Sequence, residues 1–162
     1  MQKLNWREKY SAILVLLIGI IILITQVSGV LSSKANAIAI RNGSIIIDKS
    51  ELLNDSRSYL TILLGILGGI LLLRNKRLGW VIGMPLLLLF TIITSGISIS
   101  SALHKDFSMS FKMFAAVGFL LLLAAIFLLV PSTQAKYRVG KGTWLPTLLF
   151  FMLISAIYFF LQ

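Results

Sequence analysis

One histidine, five acids and a stripe of hydroxyls are all that this 162-residue sequence offers for chemistry. No cysteine is present, so thiol catalysis, disulfides and cysteine-bound metals are excluded. His104 ends an apolar run beside Lys105 and Asp106. A surface enzyme using His104 and Asp106 is the one acid–base reading within reach, and a solvated histidine explains the same residues without catalysis. Thr91, Thr94, Ser95 and Ser98 fall at i, i+3, i+4 and i+7, one continuous stripe on a helix. With Thr25, Gln26 and Ser28 on an earlier apolar run, that stripe would line a polar vestibule for a small neutral solute or lipid. Hydroxyls at such positions also bond to their own turn or to a neighbouring helix, and packing is the expected role.

Proton relays, ion pathways and intramembrane hydrolysis draw on ionisable side chains inside the membrane. The apolar runs of this chain hold no Asp, Glu, His, Lys or Arg. The expectation is therefore a protein that is not an enzyme, with no catalytic residue, no metal and no cofactor.

The elements that must hold these residues are membrane helices. A chain that is 58% hydrophobic and 12% charged cannot cover a soluble core with polar residues. A spanning helix needs roughly 20 apolar residues. Five stretches qualify, at about 12–31, 57–73 (its apolar run starting at Tyr59), 78–103, 113–130 and 145–161. Asp55-Ser56 reads as the start of the second helix, and Pro131 closes the fourth. The fold class expected is an all-α integral membrane protein, a five-helix transmembrane bundle forming one domain over 1–162.

Orientation is encoded in the connectors. The N-terminal segment, the 74–77 loop and the 131–144 loop together carry nine basic residues and one acid, Glu8, whereas the other two loops carry six bases and four acids. Lysine and arginine accumulate on the cytoplasmic side, which places the N-terminus inside and the C-terminus outside. Trp6, Trp80 and Trp144 accompany the basic clusters. With Arg74, Lys76, Arg77, Lys136, Arg138 and Lys141 they read as interface anchors, the cations attracting anionic lipid headgroups. This arrangement accounts for the net charge of +10 without nucleic acid. The expected location is the cell membrane of a bacterium, multi-pass.

The loop at 32–56 is the one sizeable polar segment. Within 37–48, Asn42-Gly43 suits a two-residue hairpin turn. That turn would put Ile38, Ile40, Ile45 and Ile47 on one face of a short extracytoplasmic β-hairpin between helices 1 and 2. A lone hairpin is marginal in water, so this face must rest on its own helices, on lipid headgroups or on a partner protein. Asn42-Gly43-Ser44 also matches a glycosylation triplet, which the turn explains without a glycan. Ala35-Asn36-Ala37 after the first apolar run resembles a signal-cleavage site. That run is about 20 residues, longer than the 7–15 of a signal peptide, so an uncleaved span is expected.

Two helical hairpins, 59–103 and 113–161, repeat a basic turn followed by Trp and Pro, which shared insertion rules explain as well as a transporter repeat. Gly65/Gly69 and Gly79/Gly83 are small residues at spacing four, suited to close helix packing within the bundle or, less simply, to a homo-oligomer seam. The expected function is a non-catalytic membrane protein that binds or assembles with a partner in or beside the bilayer, as an accessory subunit or an immunity or defence component. A channel or transporter for a small neutral solute or lipid, using the helix 3 hydroxyls, is the alternative.

Overall fold

The structure, a computed structural model, describes residues 4–31, 38–41, 44–47, 49–104 and 109–160. In chain order these form α1 (Trp6–Leu31), β1 (Ile38–Arg41), β2 (Ser44–Ile47), α2 (Lys49–Leu73), α3 (Arg77–Leu103), α4 (Met109–Leu129), α5 (Pro131–Lys136) and α6 (Lys141–Phe160). Five of the helices are long and apolar enough to cross a membrane: Trp6–Gly29, Asp55–Leu73, Arg77–Leu103, Met109–Leu129 and Lys141–Phe159. Strands β1 and β2 pair antiparallel, with Ile38 opposite Ile47 and Ile40 opposite Ile45. The proposed turn at Asn42-Gly43 lies outside the described residues, as do the Ala35-Asn36-Ala37 triplet and Asp106.

The polar loop expected over 32–56 is shorter than its sequence suggests. Helix α2 is already formed at Lys49, so Asp55-Ser56 lies inside the helix rather than at its start. No Gly or Pro occurs between 49 and 64, and nothing there interrupts a helix once it has begun. Pro131 has two roles. It stops α4 at Leu129 and then occupies the first turn of α5, where its missing N–H is not needed. The short α5 within the expected 131–144 loop is an element the hydropathy pattern does not announce.

Helices α1, α2, α3 and α4 pack in a ring, each against the next, and α1 closes the ring against α4. Helix α6 lies outside the ring against α3, with Tyr158 meeting the Thr61 hydroxyl of α2 and the Phe90 ring of α3. Helix α3 therefore touches α2, α4 and α6 and carries the largest share of the core, including Trp80, Met84, Leu86, Leu87 and Leu89.

The contacts on α2 are made backbone to backbone. A Cβ added to Gly65 would sit 2.7 Å from the Gly19 Cα of α1, and one added to Gly69 would sit 2.7 Å from the Leu16 Cβ. On the opposite side, a Cβ at Gly79 of α3 would strike the backbone nitrogen of Leu72, and one at Gly83 would press on the Leu72 side chain. Both small-residue pairs are thus buried in the bundle's own seams, and Gly19 is a partner to Gly65 that no spacing pattern marks. Lipid is as apolar as these side chains, so association here rests on close van der Waals contact rather than on hydrophobic drive.

Alanine at Gly65 or Gly79 should lower unfolding free energy in mixed detergent micelles by about 1–3 kcal/mol through overpacking. Gly96 has no heavy atom within 4 Å of an added Cβ. Gly96→Ala should instead raise stability by about 0.5–1 kcal/mol, the ordinary helix-propensity gain.

Candidate functional site: a basic cleft at one end of the bundle

The helices alternate in direction, so α1, α3 and α6 begin at the end where α2 and α4 finish. Contacts across that end are dense. The Trp6 and Phe127 rings meet edge to face at 5.2 Å, with the Arg7 guanidinium 5.8 Å from each ring centre. Ser11 of α1 donates to the Ala124 carbonyl of α4 at 2.9 Å. The three basic, tryptophan-bearing segments are therefore gathered on one end of the molecule.

Two of the chain reversals there share one geometry. At the end of α2, Asn75 adopts φ 53°, its N–H reaches the Leu72 carbonyl at 3.0 Å, and Lys76 N–H reaches the Leu71 carbonyl at 2.9 Å. After α5, Arg138 adopts φ 54°, its N–H reaches the Ala135 carbonyl at 3.1 Å, and Val139 N–H reaches the Gln134 carbonyl at 2.8 Å. Both are Schellman-type helix ends with a residue in the left-handed region. Asparagine tolerates that region through local hydrogen bonding, whereas arginine does not share this advantage.

Two bonds then fix α5 against the ring. Lys136 donates to Glu8 on α1, Nζ to Oε2 at 2.6 Å, with Glu8 3% exposed and Lys136 12% exposed. The same Glu8 oxygen accepts the Asn5 N–H at 2.8 Å, so the carboxylate is doubly held. Buried Tyr137 donates to the Leu72 carbonyl at 2.9 Å, a second bond to the oxygen that already accepts the Asn75 N–H. Burial, followed by the nearby Glu8 carboxylate, pushes the Tyr137 phenol well above its ordinary value, which keeps this donor protonated.

Between the 74–77 reversal and α5 lies an open cleft of about 1310 Å³, lined by Arg74, Lys76, Arg77, Lys136 and Arg138 together with Asn75, Ser132, Ala135 and Tyr137. Five of its nine lining residues are cationic. Only Lys136 among them has a carboxylate partner among the described residues. Of the residues expected as interface anchors, the cleft collects every cation except Lys141. Trp80 departs from that expectation. It is fully buried, donates its indole N–H to the Leu128 carbonyl at 3.0 Å, and stacks edge to face with Trp144 at 5.2 Å. An indole can leave the interface when an unsatisfied carbonyl accepts its N–H. Trp6 and Trp144 remain exposed.

The expected vestibule residues are not brought together. Thr25 and Ser28 are exposed on α1, and Thr25 bonds back to the Ile21 carbonyl. The α3 hydroxyls face α4 instead, where Gly118 leaves room for the Thr94 hydroxyl. Thr91, Thr94 and Ser98 each donate to the carbonyl four residues earlier on α3. Ser95 and Ser98 line a shallow groove of about 360 Å³ with Phe114, Gly118, Phe119 and Leu122. His104 is exposed, with Nδ1 2.8 Å from the Ser100 carbonyl. Among the described residues no three His, Cys, Asp or Glu side chains gather into a metal site.

Glu8 and Tyr137 carry this end of the molecule and are missed by reading charge alone. Glu8 is the lone acid among nine bases, a signal for a buried pair, whereas Tyr137 is hidden between two cations. Removing one member of the pair strands a buried charge, so Glu8→Leu or Lys136→Met should each destabilise by about 3 kcal/mol. The double variant Glu8→Leu/Lys136→Met should recover most of that loss, measured by unfolding in mixed micelles. In comparisons with known proteins, the chain matches no family model, no curated protein and no solved structure.

Proposed function

We propose that this is a non-catalytic protein of the cell membrane that binds a partner protein in or beside the bilayer. Its basic end faces the cytoplasm, and its hairpin and the end of α6 face outward. The observation that carries the reading is how the bundle uses its polar groups. Thr61, Thr91, Thr94 and Thr147 are buried, and each donates to the carbonyl four residues earlier on its own helix. These hydroxyls are engaged in keeping the helices satisfied in an apolar medium, and the one buried carboxylate among the described residues, Glu8, is paired with Lys136 at the basic end. A solute path between the helices would need polar groups left free to replace water, and the close glycine seams leave little room for one.

Sidedness is supported by the asymmetry of lysine and arginine, nine against six, together with their collection on one end of the bundle. For the partner surface, the strand register supports Ile38, Ile40, Ile45 and Ile47 as one set. Successive positions on a strand alternate between faces and directly paired residues share one, so these four positions belong to a single apolar set. A face of this kind suits strand addition or apolar docking by an extracytoplasmic segment.

A photo-crosslinking amino acid placed singly at 38, 40, 45 and 47 should trap one and the same protein in native membranes. The same probe at Ala39 and Ile46, on the other face, should trap it far less. Equal trapping at all six positions, or adducts to lipid and to the chain itself alone, would overturn the partner reading.

A further inference from the structure

The cleft between the 74–77 reversal and α5 has a composition that topology does not require. Positive residues on the cytoplasmic side can be scattered and still orient a helix. Here Arg74, Lys76, Arg77 and Arg138 converge on one concavity from two separate connectors. Like charges brought together repel, and no described carboxylate offsets these four. Glu8, the acid nearest this end, is committed to Lys136.

The walls are also fixed in place. Each reversal is tied by its pair of Schellman hydrogen bonds, and α5 is anchored to α1 through Lys136 and to α2 through Tyr137. Arg138 holds a left-handed conformation that disfavours any side chain by about 1–2 kcal/mol. Glycine would relieve that strain, and glycine stands two residues later. The strained Arg138 thus forms part of the wall of this basic cavity. Guanidinium groups match phosphate oxygens in paired hydrogen bonds, and clusters of them recognise phosphate where a single lysine would not.

We propose that this cleft is a binding site for a phosphate-bearing anion, held by Arg74, Lys76, Arg77 and Arg138. The volume of about 1310 Å³ accommodates a group larger than inorganic phosphate. The same chemistry is offered by the headgroup of an anionic lipid entering from the bilayer surface and by a soluble phosphate compound. The proposal is independent of the partner reading, because it concerns the opposite end of the molecule and needs no second protein.

The test uses the full-length protein with two probes. In the lipid arm, it is purified from nanodiscs containing phosphatidylcholine and phosphatidylglycerol, and retained lipid is counted by native mass spectrometry. In the soluble arm, inorganic pyrophosphate is titrated by calorimetry into protein held in a neutral detergent. The expected result is saturable binding in at least one arm, weakening as salt rises. Selective phosphatidylglycerol retention assigns a lipid source, and pyrophosphate binding alone assigns a soluble one. Arg74→Gln/Arg138→Gln should lower the affinity about thirtyfold, each cation near a headgroup contributing about fivefold. Lys9→Gln/Lys112→Gln removes the same charge outside the cleft and should leave binding within about twofold of the parent. Circular dichroism and thermal unfolding of each variant establish that it is folded, and Arg138→Lys, which keeps the charge, should retain partial binding. Binding in neither arm, or equal losses in the cleft and control variants, would overturn the proposal.

Discussion

The bundle depends on how closely α2 approaches its two neighbours. Gly19 against Gly65 brings α1 and α2 into main-chain contact, and Gly79 against Leu72 does the same for α2 and α3. In lipid no hydrophobic gain accompanies helix association, so shape must supply it. Once α1, α2 and α3 are locked at these seams, α4 can close the ring through the Ser11–Ala124 and Trp80–Leu128 bonds. Helix α6 then rests on the outer side of α3. A bulkier residue at either seam would separate the helices and, with them, the connectors that build the cleft.

The same packing explains how a strongly basic end remains ordered. The reversal after α2 and the short α5 are not free loops. Schellman hydrogen bonds shape each one, and Lys136 and Tyr137 pin the second to the first helical hairpin. The two side-chain bonds each satisfy a group that would otherwise be stranded where water is scarce: the buried Glu8 carboxylate and the buried Tyr137 hydroxyl. The repulsion among the four remaining cations is borne by this scaffold, and it eases when an anion is bound.

Much of this architecture is legible in the sequence because membrane insertion writes it there. Span number and approximate position follow from hydropathy, and Gly65, Gly69, Gly79 and Gly83 announce their seams by spacing. What escapes is whatever depends on the partner helix. Trp80 and Trp144 look alike in sequence, yet only Trp80 meets a free carbonyl, at Leu128, and is drawn inside. Gly19 has no small residue four positions away, so its close contact is visible only once Gly65 lies opposite. The stripe from Thr91 to Ser98 is a real helical face, but sequence cannot tell that α4 covers it rather than α1. The cations of the cleft were each visible as interface residues. Their convergence was not, because it requires the unannounced helix α5 to lie beside the 74–77 reversal.

Sidedness is the claim on which both ends of the molecule rest, and the absence of cysteine allows it to be measured directly. Single variants Ser44→Cys, in β2, and Ser132→Cys, on the cleft wall, can be treated with a membrane-impermeant maleimide on intact cells and again after permeabilisation. The account predicts that Ser44→Cys labels in intact cells and that Ser132→Cys labels only once the membrane is opened. Labelling of Ser132→Cys in intact cells, with Ser44→Cys protected, would contradict it.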